Sequence, residues 1–210
     1  MSRYTGPVCR LCRREGEKLF LKGKRCITDR CAMERRPHPP GEQPGGRRRR
    51  RPSEYALQLR EKQKVKRIYG LAERQFRTMF ENAARVPGIT GENLLAALES
   101  RLDNIVYRLG FAPSRKAARQ LIRHRHVRVE RRTVDVPSFS VRPGAEISVA
   151  PHARKFPMVI EAIEDRRSRD QLSWLGVDYE KGTGRMLERP SRHDIPLAVE
   201  EQLIVELYSK

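Results

Sequence analysis

No apolar run in this 210-residue chain is longer than five residues (Leu94 to Leu98), so the sequence offers no membrane-spanning segment. The first residues, Met1-Ser2-Arg3-Tyr4-Thr5-Gly6, lack the apolar stretch of a secretory leader, and export is not expected. Only four cysteines are present. In a chain expected to stay in a reducing cytosol they argue for metal ligands or free thiols over disulfides. The five histidines (His38, His124, His126, His152, His193) are scattered, with no Ser/Cys–His–acid constellation and no Gly-rich phosphate loop. An enzyme is therefore not expected. An RNA-modifying enzyme would also need a catalytic domain of about 100 residues or more beyond a binding module.

Acidic residues are scarce too. Against 26 Asp+Glu stand 45 Lys+Arg, a formal charge of +19. Such an excess repels itself unless an anion compensates it, and nucleic acid is the usual anion at this scale. The charge is uneven. Residues 1–52 hold 16 basic and 5 acidic side chains (net +11), 53–100 hold 8 and 6 (+2), 101–150 hold 11 and 4 (+7), and 151–210 hold 10 and 11 (−1). Two basic regions flank a nearly neutral one, unlike a uniformly basic tail or an evenly mixed solvated surface.

The pattern predicts an α+β fold in three parts. These are an N-terminal metal-binding arm and linker (1–46), a helical domain (47–97, completed by 190–210), and a module of two helices on a small, mainly antiparallel sheet (98–189), which the resemblance given below makes an RNA-binding module. Pro37-His38-Pro39-Pro40-Gly41 through Pro44-Gly45-Gly46 reads as linker. Ser53 is a candidate N-cap for a helix over 54–69, basic on one side through Arg60, Lys62, Lys64, Lys66 and Arg67, which Gly70 ends. A second helix is expected near 72–85, with Phe76, Met79, Phe80 and Ala83 inward. Over 92–109 a single helix is expected, because Leu94, Leu95, Leu98, Leu102, Ile105, Val106 and Leu109 fall in one arc of about 120°. Arg101, Asn104 and Arg108 share a neighbouring strip, and Gly110 is a natural C′ residue. The helix expected over 114–124 separates Ala117, Ala118, Leu121 and Ile122 from Arg115, Lys116, Arg119, Gln120 and Arg123. That reads as a core face opposite a phosphate-facing one.

Beyond His124 the apolar period changes to two: Val127 and Val129, Val134 and Val136, Ile147 and Val149. Three short strands are expected there. A helix over 155–167, a hairpin around Gly182-Thr183-Gly184, and a C-terminal segment (Ile195 to Tyr208) that packs back on the body complete the expectation.

Cys9-x2-Cys12 and Cys26-x4-Cys31 are two close pairs that can place four sulfurs at the corners of a tetrahedron. Each pair clips a turn in an arm too short to build a core. Nearby Arg10, Arg13, Arg14, Lys24, Arg25 and Arg30 are expected to favour thiolate over thiol. Zn²⁺ is the leading ligand, and an iron–sulfur cluster suits the same four cysteines.

The stretch Arg101-Leu102-Asp103-Asn104-Ile105-Val106-Tyr107-Arg108-Leu109-Gly110-Phe111-Ala112, followed by Ser114-Arg115 and Ala118-Arg119-Gln120-Leu121, resembles the RNA-binding domain named after the fourth protein of the small ribosomal subunit. The resemblance extends over nearly the whole chain, through Arg3-Tyr4-Thr5-Gly6-Pro7-Val8-Cys9, Lys22-Gly23-Lys24-Arg25-Cys26, Cys31 to Pro37, Leu59-Arg60-Glu61-Lys62-Gln63 and Glu201 to Glu206. It points to the cysteine-bearing branch of that bacterial ribosomal protein family. Two positions depart from the family's usual pattern. Arg125 stands between His124 and His126 where relatives usually have Gly, and Glu130-Arg131 stands where Asn-Gly is frequent. Arg and Glu do not readily supply positive φ. A looser hairpin, or one of another type, is expected.

The resemblance implies a structural, non-enzymatic protein of the cytoplasmic small ribosomal subunit. It would bind 16S ribosomal RNA at a helix junction of the 5′ domain and nucleate assembly. It would lie beside neighbouring small-subunit proteins, near the path by which mRNA enters, and contribute to translational accuracy. No membrane, small-molecule substrate or homo-oligomer is expected. Phosphate contacts would supply the affinity, with Arg favoured for its planar fork. The candidate contacts in the arm are Arg3, Arg10, Arg13, Arg14, Lys22, Arg25, Arg35 and Arg36, followed by the run Arg47, Arg48, Arg49, Arg50 and Arg51. In the helix over 54–69 they are Arg60, Lys62, Lys64 and Arg67. In the module they are Arg101, Asn104, Arg108, Ser114, Arg115, Arg119, Arg123, His124 and His126. Tyr55 and Tyr69 could stack on bases or pack in the core. A free-standing regulator using a zinc ribbon would explain Cys9 to Cys31 but not the near full-length resemblance.

Overall fold

A computed structural model describes residues 4–41, 51–168 and 171–209 of the chain. They divide into two compact units, one of residues 1–91 with 198–210 and the other of 92–197. The expected boundaries at 46/47, 97/98 and 189/190 therefore do not coincide with the limits of these units. The arm and the first two long helices lie in one unit, and 92–97 and 190–197 lie in the other.

In the first unit, short helices α1 (Cys9–Glu15) and α2 (Ala32–Arg35) flank a 3-10 turn over Gly23–Cys26. Helices α3 (Glu54–Ile68) and α4 (Glu73–Ala84) follow, and α9 (Glu201–Ser209) returns from the C-terminus to pack on α3. Ser53 is the expected N-cap of α3, its Oγ accepting from the Ala56 amide at 3.3 Å. The core holds Val65, Ile68, Tyr69, Phe76, Phe80 and Ile204. Tyr208 stacks on Phe80, with ring centroids 4.5 Å apart. Burial of these rings, at about 25 cal/mol per Å², holds the unit's helices together.

The second unit begins with α5 (Thr90–Glu99), whose first two residues belong to the other unit, then α6 (Leu102–Arg108) and α7 (Arg115–Arg123). The single helix expected over 92–109 is thus broken. Arg101 is extended (φ −71°, ψ 139°) and forms a β-bridge with Ser140. Backbone carbonyls of the 137–139 turn then cap α6: Leu102 N donates to Phe139 O at 2.8 Å and Asp103 N to Pro137 O at 3.1 Å. A cap supplied from 35 or so residues downstream leaves no local trace in the sequence, which is why periodicity alone overran the break. The apolar arc itself is right, since Leu94, Leu95, Leu98, Leu102, Ile105, Val106 and Leu109 are all buried.

Five described strands make one antiparallel sheet in the order β2-β1-β3-β5-β4, where β1 is Val127–Val129, β2 Arg132–Thr133, β3 Glu146–Val149, β4 Leu175–Asp178 and β5 Thr183–Met186. β2 ends before the strand expected over Val134–Val136, and Val136 is exposed. Thr183 and Gly184 lie in β5 instead of the turn. Helix α8 (Pro157–Arg167) starts at a proline, after a 3-10 turn over Ala153–Lys155. Trp174, Phe111, Ile105, Ile122 and Ile147 are fully buried in this unit's core.

The two departures from the family pattern do not loosen the backbone. Glu130 and Arg131 both take positive φ (49° and 66°), and Val129 pairs with Arg132, so a two-residue I′-type hairpin is kept by residues that pay strain for it. The Glu130 side chain helps, because its Oε1 accepts from the Glu146 amide at 2.7 Å. Arg125 (φ 63°) ends α7 in a Schellman motif: His126 N donates to Leu121 O at 3.0 Å and Arg125 N to Ile122 O at 2.9 Å. The same pair of bonds closes α6 around Gly110, with φ 84°, through Phe111 N to Val106 O and Gly110 N to Tyr107 O. A Cβ on Gly110 would stand 2.4 Å from both Cβ and Cγ of Arg166.

These backbones predict opposite signs for two glycine exchanges. Arg125→Gly removes roughly 1–2 kcal/mol of left-handed strain and adds roughly 0.5–1 kcal/mol of chain entropy. A net gain of roughly 0.5–1 kcal/mol, or about 2 °C in melting temperature, is expected. Gly110→Ala adds strain and a collision and should cost roughly 2 kcal/mol or more. Thermal melting followed by fluorescence of Trp174, the chain's one tryptophan and fully buried, reads both. A destabilised Arg125→Gly would show that the ion pair of Arg125 with Asp135 outweighs the strain.

Candidate nucleic-acid interface

The scarce acids of the module decide which arginines reach the surface. Glu99 is fully buried, and Arg108 grips it bidentately (Nη2 to Oε1 at 2.6 Å, Nε to Oε2 at 2.9 Å). Asn104 donates from Nδ2 to Oε2 of the same carboxylate at 2.7 Å, and its Oδ1 accepts from Arg115 Nε at 2.8 Å. The Arg115 guanidinium also lies over the Tyr107 ring, 4.7 Å from its centroid. Asp103, 3% exposed, takes Arg101 on one side (Nε to Oδ1 at 3.1 Å, Nη2 to Oδ2 at 2.9 Å) and Arg119 on the other (Nη2 to Oδ2 at 2.6 Å).

This corrects the expectation for Arg101, Asn104, Arg108, Arg115 and Arg119. Their polar groups are engaged inside the module, where α7 meets α6. Of the side read as phosphate-facing, Arg115 and Arg119 make a charged contact with Glu99, Asn104 and Asp103, while Lys116, Gln120 and Arg123 are exposed. Glu99 at the end of α5 and Asp103 in α6, on either side of the break at Arg101, meet Arg115 and Arg119, which stand four apart on α7. Ser114 is likewise structural, its Oγ capping α7 at the Ala117 amide.

Helix α3 behaves in the same way. Lys62 and Lys66 hydrogen-bond Glu73 at 2.6 and 2.7 Å, and Lys64 pairs with Glu17 at 3.0 Å. Burial would raise Glu73, but the two lysines outweigh it and hold its carboxyl down at about 2. Arg67 and Arg60 both pair with Glu15, whose side chain is 2% exposed. Arg60, Lys62, Lys64 and Arg67 thus serve the unit's own packing. Tyr69 is core, while Tyr55 is 58% exposed.

Other expected contacts do stand at the surface. Arg10, Arg14, Lys22, Arg25, Arg35, Arg36 and Arg51 are exposed in the first unit. Arg13 is half-buried and ties α1 to the following segment, its Nε donating to His38 O at 2.9 Å. Arg3 and Arg47, Arg48, Arg49 and Arg50 lie outside the described residues. In the second unit Arg123 and His124 are exposed and His126 is half-buried. Lys116, read as part of the phosphate-facing side of its helix, is exposed, and sequence reasoning passed over Arg125, Arg128, Arg131, Arg132, Arg142 and Lys155, all exposed here too. Arg128 had a signal: it alternates with buried Val127 and Val129 on β1, so it must point away from the core. The end of α7 and the β1–β2 hairpin carry Arg123, Arg128, Arg131 and Arg132 of this unit's outward basic surface.

Cys9, Cys12, Cys26 and Cys31 line one cavity of about 10 Å³, with Lys22, Arg25 and Arg30 at its wall. None forms a disulfide. Burial pushes the Cys12 and Cys26 thiols up, and the neighbouring sulfurs push the same way. At both, burial is the largest influence and works against the thiolate that the nearby cations are expected to favour. Among the described residues no three of His, Cys, Asp or Glu are placed as ligands of one ion. Four cysteines lining one cavity are the donor type that a soft or borderline cation takes.

No helix of the described residues is long and apolar enough to cross a membrane. Two family descriptions match the chain: the ribosomal protein S4/S9 N-terminal domain over residues 3–99 and the S4 domain over residues 100–147. Their junction falls at the break between α5 and α6. Over all 210 residues, and all of each relative, the chain is 57% identical to a protein of Thermus thermophilus, 55% to one of Halothermothrix orenii and 54% to one of Caldicellulosiruptor saccharolyticus. Each of these is named small ribosomal subunit protein uS4.

Removing one partner of a buried charge network leaves the others unpaired. Asp103→Ala should therefore cost about 3 kcal/mol, whereas Arg123→Ala, on the exposed end of α7, should change stability by less than about 0.5 kcal/mol. Urea unfolding of the two variants checks this. Similar midpoints for both would mean that Asp103 is not the anchor of Arg101 and Arg119.

Proposed function

Because the chain belongs to the uS4 family of small ribosomal subunit proteins, we propose that it is a structural, non-enzymatic protein of the cytoplasmic small subunit that binds ribosomal RNA. The observation that carries this is the match over the full length of the relatives. The surface supplies the mechanism. With Arg101, Arg108, Arg115 and Arg119 held by Glu99 and Asp103, affinity comes from the side chains left outward. These are Arg123, Arg128, Arg131 and Arg132 on the module, and Arg10, Arg14, Lys22, Arg25, Arg35, Arg36 and Arg51 on the other unit, with Arg3 and Arg47 to Arg50 added from the sequence. Each phosphate they neutralise releases a counterion, and a folded RNA is read by its backbone shape.

The finer reading is that the RNA is 16S RNA, at a helix junction of its 5′ domain, and that binding nucleates assembly beside neighbouring ribosomal proteins. Closeness to the path of incoming mRNA, and a part in accuracy, belong to the same reading. For the cysteines the proposal is one Zn²⁺ held by Cys9, Cys12, Cys26 and Cys31. Bound metal would stand in for the core that the arm lacks. An iron–sulfur cluster on the same four cysteines is the alternative.

Filter binding to a 5′-domain RNA fragment between about 50 and 200 mM salt tests the RNA reading. Affinity should fall by orders of magnitude. Replacing Arg123, Arg128, Arg131 and Arg132 together by Ala should reduce the slope by about one per lost contact. A salt-independent affinity contradicts the mechanism. Metal analysis of protein purified with and without air should find about one zinc per chain, lost when Cys26→Ser and Cys31→Ser are combined. No metal in either preparation removes the site.

A further inference from the structure

Two histidines lie where the module's basic surface meets the segment after β3. His126 Nδ1 and His152 Nε2 are 3.0 Å apart. The main chain sets this approach: His126 N is held by Leu121 O in the cap of α7, and His126 O accepts from Ala150 N at 2.8 Å. Phe156 stands edge-on to His126, with centroids 5.1 Å apart, and the His124 ring lies 6.0 Å away. His152 and His124 are exposed and His126 half-buried, so a ligand can reach the pair. His152 takes no part in the reading of the interface given above.

The geometry points to His126 and His152 as a proton-linked subsite for an RNA phosphodiester, which binds with uptake of one proton. This deepens the RNA-binding reading and rests on it. The proton count follows from the 3.0 Å contact. At that separation one ring nitrogen donates to the other, so one proton sits in the bridge. A neutral pair carries two N–H groups in all. One is the bridge and one is on a non-bridging nitrogen, which leaves the remaining nitrogen as a bare lone pair. That lone pair repels a phosphate oxygen. A single added proton converts it to a donor, keeps the bridge, and gives the pair one positive charge and two free N–H donors. Whichever tautomer the neutral pair adopts, the change is the same.

The surroundings disfavour a positive charge on His126. Burial lowers His126, and His152 and His124 lower it further. The other charged groups of the elements around it are Arg123 and Arg125 at the end of α7, Arg128 on β1, and Arg154 and Lys155 after β3. Arg154 spends its Nε on Val149 O, and Arg125 pairs with Asp135. No carboxylate pairs with His124, His126 or His152 among the described residues, so only an external anion can draw in the proton. The sign follows: phosphate raises the affinity of the pair for a proton, so protons raise the affinity for phosphate. Binding should strengthen as pH falls from about 8, and flatten once the free pair is itself protonated.

The test is the affinity for the 5′-domain RNA fragment at fixed salt from about pH 6 to pH 8. Up to about a tenfold gain per pH unit is expected at the steepest point for one proton. Calorimetry in buffers of different ionisation heat should register uptake of about one proton. His126→Asn and His152→Asn should each flatten the slope, while His193→Asn, distant in sequence and exposed, should keep it. Melting followed by Trp174 identifies a variant that fails to fold, and the wild-type proton count does not depend on any variant. A flat wild-type profile, or an unchanged slope in both variants, overturns the inference and leaves RNA binding standing. Absence of binding at every pH overturns the RNA reading itself.

Discussion

The pairing of Glu99 and Asp103 with four arginines is the interaction on which the rest of the second unit depends. Helices α6 and α7 are short, seven and nine residues, and neither would persist alone. Their apolar sides face the sheet core, which fixes them against it. The charged contact fixes them against each other. A buried carboxylate with a single arginine is seldom a net gain over an apolar pair, but here each acid accepts from several donors on both of its oxygens. With α7 so held, its last turn sets where His126 leaves the helix. From there follow β1, its hairpin, and the segment that Ala150 ties back to His126.

The same contact reshapes the meaning of the net charge. A chain of +19 looks like an unbroken cationic surface, yet its strongest charge–charge contacts are internal. In 101–150 there are four acids, and all are engaged. Asp103 holds two arginines, Asp135 meets Arg125, Glu146 lies 3.6 Å from Arg185, and Glu130 accepts the Glu146 amide. Glu73, Glu15 and Glu17 do comparable work on α3. Acids in a basic domain are few because each is placed. What remains outward is the hairpin, the end of α7 and the exposed arm residues, a smaller and more local field than the sequence total implies.

Apolar positions were the legible part of the sequence. Every residue of the Leu94 to Leu109 arc is buried, Ser53 and Ser114 cap the helices they precede, and Val127 and Val129 point inward from β1. Burial follows periodicity because apolar side chains have one favourable place to go. Charged side chains have two, water or a partner, and a helical wheel does not choose between them. That is why Arg101, Arg108, Arg115 and Arg119 were read as outward and Arg128 was passed over. The break at Arg101 was hidden for a different reason, since its cap comes from the 137–139 turn. The cysteine pairs were legible as a cluster but not in their titration, because burial depends on the folded arm.

The strained turns tie these threads together. Arg125, Glu130 and Arg131 occupy the left-handed region, where glycine or asparagine would sit at lower cost. Each substitution by glycine would also remove a side chain that the folded unit uses. Glu130 anchors β3, Arg125 pairs with Asp135, and Arg131 is exposed at the hairpin turn. A few kilocalories of backbone strain, on the order of 1 kcal/mol per residue, are small beside the core that enforces the turns. They are large enough that selection for stability alone would favour glycine. Charged side chains at the turns are what the strain supports, and of the three only Arg125 is next to the His126–His152 pair in the chain.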